Sequence, residues 1–88
     1  MKDLLTEMRT RIDTDVTGKL LEEFVRERKD AGMQREEARR LLTELLEEYN
    51  GVVPETPTVT RKMEGISNIL DLVMGNANIS EYLIYPKP

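Results

Sequence analysis

The side chains of this chain that could do chemistry are carboxylates, amines, guanidinium groups and hydroxyls, because its 88 residues include no histidine and no cysteine. Histidine and cysteine supply most nucleophile–base pairs, zinc sites and neutral-pH acid–base groups. Paired carboxylates can hydrolyse glycosides, but they must flank a cleft. The glutamate pairs at 22–23, 36–37 and 47–48 are adjacent in sequence, so their members point to different sides of a helix. We therefore expect a non-enzymatic protein that works without a cofactor by binding another macromolecule.

Residues 13–24 resemble the calcium-binding loop of the EF-hand family. The first, third, fifth and sixth positions of such a loop are held here by Asp13, Asp15, Thr17 and Gly18. The resemblance implies a divalent-cation binder at residues 13–23. Calcium coordination also needs a bidentate carboxylate at the twelfth position, where this chain has Phe24. The segment is therefore predicted to be a polar helix junction, and no metal site is expected.

The charged face of residues 34–49 has an unusual order. Its first half carries Arg35, Arg39 and Arg40, and its second half carries Glu44, Glu47 and Glu48. This order opposes the helix macrodipole, which favours acidic residues first and basic residues last. Ion pairs such as Glu36–Arg40 offset this unfavourable interaction by only about 0.2–0.5 kcal/mol each. One interpretation is an ordinary solvated face. The other is that a cationic partner selected the acidic end, which makes the three glutamates candidate partner-binding residues.

Two tyrosines, Tyr82 and Tyr85, lie in the apolar C-terminal segment at 79–88. Tyrosine is favoured at binding hot spots, so both are candidate partner-binding residues. The sequence LIYPK at 83–87 is similar to the LIYYP segment of the colicin nuclease immunity proteins, a family of small acidic helical inhibitors. That resemblance implies an inhibitor, and no site residue is carried over from it. The alternative is that the tail packs its apolar residues over the helices.

Charge and composition restrict the partner and the compartment. Thirteen basic against 17 acidic residues give a net charge of −4, which argues against a general nucleic-acid binder but not against a local basic patch. The chain has neither cysteines for disulfides nor a long apolar run, and its N-terminus does not read as a signal peptide. We expect a cytoplasmic protein with no membrane association.

Apolar residues at helical spacing predict a single all-α domain over residues 1–88, a small bundle of three to four helices. The predicted helices lie near 2–13, 16–30, 34–49 and 58–74, with a linker at 51–57 and a tail at 76–88. A short C-terminal helix or strand is expected within that tail.

Capping residues predict where these helices begin and end. Thr58 is expected to cap the last helix, and Gln34 with Glu37 is expected to begin the helix before it. For residues 13–18 we expect either a break between two helices or one helix bent near Gly18, and the sequence leaves these two alternatives open.

The leading functional hypothesis is a small acidic protein-binding module of the inhibitor, immunity or antitoxin type. It would occlude a basic partner such as a nuclease toxin, with carboxylates mimicking phosphates and tyrosines anchoring the contact. The alternative is a homo-oligomeric structural or regulatory adaptor. A homodimer is expected because the core is small and the apolar stripes, which include Leu20, Phe24, Leu42 and Leu46, are long.

Overall fold

The apolar stripes form four helices, which account for 80% of the residues that the computed structural model describes. The described residues are 3–51, 56–75 and 84–85. In chain order the helices are α1 (Leu4–Thr14), α2 (Lys19–Asp30), α3 (Arg35–Asn50) and α4 (Pro57–Met74). No strand occurs within these ranges, and the predicted all-α bundle is confirmed. A bilayer span would need a longer or more apolar helix than any in the described part of the chain.

The core forms where the centres of the four stripes meet. The largest fully buried side chains are Met8, Ile12, Leu21, Val25, Leu42, Leu45, Ile66 and Val73. The helical spacing of the apolar residues in α4 predicts a buried face with Ile69 at its flank, formed by Val59, Met63, Ile66, Leu70 and Val73. The structure reverses this order, since Ile69 is buried and Leu70 is only partly covered. Ile69 lies against the α1–α2 turn, since its Cδ1 would be 3.4 Å from a Cβ added at Gly18.

Residues 15–18 separate α1 from α2, so of the two alternatives for this segment the structure has the break. The Asp15 carboxylate accepts hydrogen bonds from the Thr17 amide at 3.0 Å and from the Thr17 hydroxyl at 2.6 Å. Gly18 then begins α2 with a φ of +87°, a value that other residues rarely adopt. The turn packs directly on Gly65 of α4, where an added Cβ would lie 3.3 Å from the carbonyl oxygen of Thr17.

The predicted starts of α2 and α4 need correction, and α2 begins at Lys19 rather than near residue 16 because the turn that ends at Gly18 precedes it. The cap of α4 is Thr56, whose hydroxyl accepts from the Val59 amide at 3.2 Å, and the predicted cap Thr58 lies inside the helix. Pro57 fits the first helical position because its missing amide has no partner there in any helix. Gln34 does precede α3 as predicted, but its side chain makes no capping hydrogen bond.

The end of the chain returns to the bundle at residues 84–85. The Ile84 amide donates to the Leu72 carbonyl at 3.1 Å, which satisfies one of the carbonyls left open in the last turn of α4. Ile84 and Tyr85 are both buried. The rest of the predicted C-terminal helix or strand, at 79–83, lies outside the described residues.

Candidate functional site

The three candidate glutamates lie along the C-terminal half of α3, and each has different surroundings. Glu48 forms a two-pronged ion pair with Arg9 of α1, with Nε–Oε1 and Nη2–Oε2 distances of 2.8 and 3.0 Å. Glu44 pairs with Arg40 one turn earlier at 3.4 Å. Glu47 is exposed, and no ion pair within the described residues reaches its carboxylate. The side chains of Glu44 and Glu48 keep 45% and 37% of their surface exposed.

The helix end adds its own negative potential to these carboxylates. The last turn of α3 contains no basic residue. A helix C-terminus carries about half an elementary negative charge, which a lysine or arginine in the last turn usually balances. Arg9 balances Glu48 from the neighbouring helix, which leaves Glu47 as the carboxylate whose charge is least compensated. Of the three glutamates, Glu47 is thus the one that keeps its charge without an ion pair in the described part of the folded surface.

A polar cluster beside this surface holds α1, α3 and α4 together. The Lys62 amine donates to the Asp13 carboxylate at 2.8 Å, and the Tyr49 hydroxyl donates to the same carboxylate oxygen. The Lys62 amine also lies 5.2 Å from the centre of the Tyr49 ring, a cation–π distance. The cluster joins one residue from each of the three helices, so it fixes the acidic end of α3 in place.

The protonation of this cluster follows from its contacts. Partial burial opposes ionisation of Asp13, but the hydrogen bonds from Lys62 and Tyr49 hold the pKa of Asp13 below its ordinary value. Burial, and then the hydrogen bond to ionised Asp13, raises the pKa of Tyr49 well above 10. Both effects favour ionised Asp13 beside a neutral Tyr49 hydroxyl over the whole physiological range.

The segment that resembles a calcium loop uses its aspartates internally. Asp13 bonds to α3 and α4, and Asp15 accepts from Thr17 within the turn. The structure brings no three acidic side chains into metal-binding proximity anywhere in the described ranges. Calcium coordination at 13–23 would require these hydrogen bonds to break.

Tyr85, the candidate tyrosine within the described residues, does not join the glutamates. The Tyr85 hydroxyl donates to the Met33 carbonyl at 2.7 Å, and only 7% of the residue is exposed. Met33 precedes the start of α3, so this contact lies about 20 Å along the helix from Glu48 at 1.5 Å per residue. Tyr85 therefore serves the core, as the packing alternative predicted, and it is not carried into the proposal below. Tyr82 lies outside the described residues.

A surface groove between α3 and α4 was missed in the sequence. It encloses about 300 Å³ and is lined by Leu46, Thr60, Met63, Glu64 and Ser67. The four α4 residues follow the i, i+3, i+4, i+7 spacing of one helix face. One sequence signal does point to the groove. Leu46 and Met63 lie at the edges of the apolar stripes of α3 and α4, where a large apolar side chain is only partly covered.

A second cleft, of about 200 Å³, lies where the α1–α2 turn meets α4, and its lining includes Thr17, Arg61 and Asn68. Glu64 lines both openings and therefore stands on the ridge between them.

No protein-family model, curated protein or solved structure matches this chain.

Proposed function

We propose that this chain is a small acidic protein-binding module whose surface at the C-terminal half of α3 engages a basic protein. The observation that supports the proposal is Glu47. Its carboxylate is exposed and unpaired within the described residues, and it lies beside Glu44 and Glu48 near a helix end whose last turn has no basic residue. This arrangement does not improve folding, because like charges and the helix dipole oppose it.

The mechanism we propose is occlusion of the basic partner. Carboxylates spaced one turn apart on α3 would face lysines or arginines that otherwise contact phosphates, as in a nuclease-type toxin. Attraction between the two surfaces would speed association and exclude acidic competitors. The protein would then act as an inhibitor or antitoxin without any chemistry of its own.

The homo-oligomeric adaptor receives less support. Phe24 and Leu42, which contributed to the apolar stripe expected to pair between copies, are buried inside the single chain. A symmetric dimer through the α3 end would also place the same carboxylates opposite one another, since such interfaces use the same patch on both copies.

Recovery of the partner from the native cell tests the proposal directly. A tagged chain, purified at low salt, should bring down a basic protein that high salt releases, because the attraction between exposed charges is screened. Recovery of the chain alone, or of a partner that salt does not release, would contradict the proposal.

A kinetic comparison then tests the surface. Glu47→Lys should slow association with the recovered partner and flatten its salt dependence, while dissociation changes little. Glu23→Lys is the matched control, because it makes the same charge change at an exposed position of α2. Equal effects of the two substitutions would show that net charge matters and the α3 surface does not.

A further inference from the structure

We infer that the groove between α3 and α4 is the docking site for an amphipathic helix of a basic protein. Its apolar side chains would enter between Leu46 and Met63, and its lysines or arginines would reach Glu64. This inference rests on the proposed function. The groove would supply an apolar contact for the basic partner, which the carboxylates of α3 alone do not provide. The groove is defined as Leu46, Thr60, Met63, Glu64 and Ser67.

The dimensions of the groove favour a helix as its occupant. Its α4 wall runs from Thr60 to Ser67, which is about 10 Å at the rise of an α-helix. That length corresponds to two turns, enough for anchors at positions i and i+3 or i+4 of a bound helix. Leu46 and Met63 provide an apolar floor, and the flexible methionine side chain can adapt to different anchors.

The charge around the groove favours a basic occupant. Glu64 lines the groove, and Asp71 lies seven residues later on the same exposed face of α4. Within the described residues no ion pair is formed by Glu64 or Asp71. An apolar floor with unpaired carboxylates around it matches a helix that has leucines on one face and lysines beside them.

The same charge argues against other occupants. A second copy of the chain would bring a further net charge of −4 and its own Glu64 toward this groove. An anionic membrane surface would be repelled for the same reason. A basic protein helix is therefore the occupant that both the apolar floor and the carboxylates can stabilise.

Synthetic peptides test this site with the intact chain. The probe is a helical peptide with leucines on one face, lysines on the other and a single tryptophan, whose fluorescence reports binding because the chain has no tryptophan. We expect saturable binding to the wild type, and methyl NMR shifts should centre on Leu46 and Met63. A shuffled peptide of the same composition and a leucine–glutamate peptide should each bind at least about tenfold more weakly.

Two substitutions locate the site independently. Met63→Gln removes the apolar floor, and Glu64→Lys reverses an exposed charge without touching the core. Each should raise Kd about tenfold or more, whereas the control Glu23→Lys should change it less than about twofold. Circular dichroism confirms that each variant is folded. Unchanged binding by folded Glu64→Lys, equal binding of the shuffled peptide, or NMR shifts centred away from the groove would overturn the inference.

Two further outcomes separate this inference from the proposed function. If the natural basic partner loses affinity for Glu47→Lys but binds Glu64→Lys and Met63→Gln normally, the proposed function stands and the docking site is wrong. If the peptide binds the groove while no basic protein is recovered from the cell, the docking site stands and the proposed function is wrong. Concentration-dependent dimerisation that buries Leu46 would also overturn the inference, since a second copy would then occupy the groove.

Discussion

Replacing Tyr85 by phenylalanine removes one hydroxyl group and tests how much the hydrogen bond from Tyr85 to Met33 stabilises the fold. In Tyr85→Phe the ring still fills its buried position, but the Met33 carbonyl loses a donor that lies at 2.7 Å. The loss of one buried hydrogen bond, with its acceptor left unsatisfied, destabilises a protein by about 1–2 kcal/mol. For a chain of this size each kcal/mol lowers Tm by about 4–8 °C, so we expect a fall of roughly 4–16 °C.

Thermal unfolding followed by circular dichroism measures this change, and Tyr49→Phe is its matched control. The Tyr49 hydroxyl lies on a half-exposed residue, and its acceptor Asp13 keeps the amine of Lys62 when that hydroxyl is removed. The control should therefore lose less than Tyr85→Phe. An unchanged Tm for Tyr85→Phe would refute the reasoning, because the hydrogen bond from Tyr85 to Met33 would then contribute nothing to stability.

Three further predictions follow from contacts within the bundle. Gly65→Leu should lower the free energy of unfolding by about 1–3 kcal/mol, because the new side chain meets backbone oxygens of the α1–α2 turn at about 3.3 Å. A urea titration measures this change. A variant as stable as the wild type would show that the turn can move away from α4. Burial raises the pKa of both Tyr49 and Tyr85 above the ordinary value of 10.0. The folded state therefore favours the neutral phenols. Their contribution to the free energy of unfolding is complete below pH 10 and should be lost as the pH rises above 10. Tm should therefore fall at alkaline pH, and it should fall less in the variant that carries both Tyr49→Phe and Tyr85→Phe. Millimolar calcium should leave Tm unchanged in differential scanning calorimetry, because Lys62 and Tyr49 already occupy the Asp13 carboxylate; a rise that Asp13→Ala abolishes would establish a metal site.

The helices could be predicted because their signals are local. The stripe of α3 places Ala38, Leu41, Leu42 and Leu45 in the core as its spacing predicted. The start of α4 was placed wrongly because both prolines were assigned to the linker, although a proline at the first helical position extends a helix toward its N-terminus. The correct start of α4 is therefore also a local feature of the sequence, a proline at the first helical position.

The site depended on contacts between residues far apart in the sequence, which no local pattern encodes. In the sequence Glu48 does not differ from Glu44 or Glu47, and only the fold shows that it pairs with Arg9 of α1. Asp13 matched the first ligand of a calcium loop, yet its carboxylate is held by Lys62, 49 residues later. The groove arises only where the margins of two stripes meet. The sequence predicted the acidity of the α3 end but not which carboxylates the fold leaves unpaired.

The meeting of Gly18 and Gly65 has a consequence for how this sequence can diverge. A Cβ at Gly65 would lie 3.3 Å from the carbonyl oxygens of Val16 and Thr17, so Gly65 leaves room for the turn that ends at Gly18. Gly18 also needs its positive φ to begin α2. Descendants of this chain could exchange most surface residues while these two positions stay small together. A glycine pair separated by two helices of variable sequence is therefore the mark by which distant relatives should be recognised.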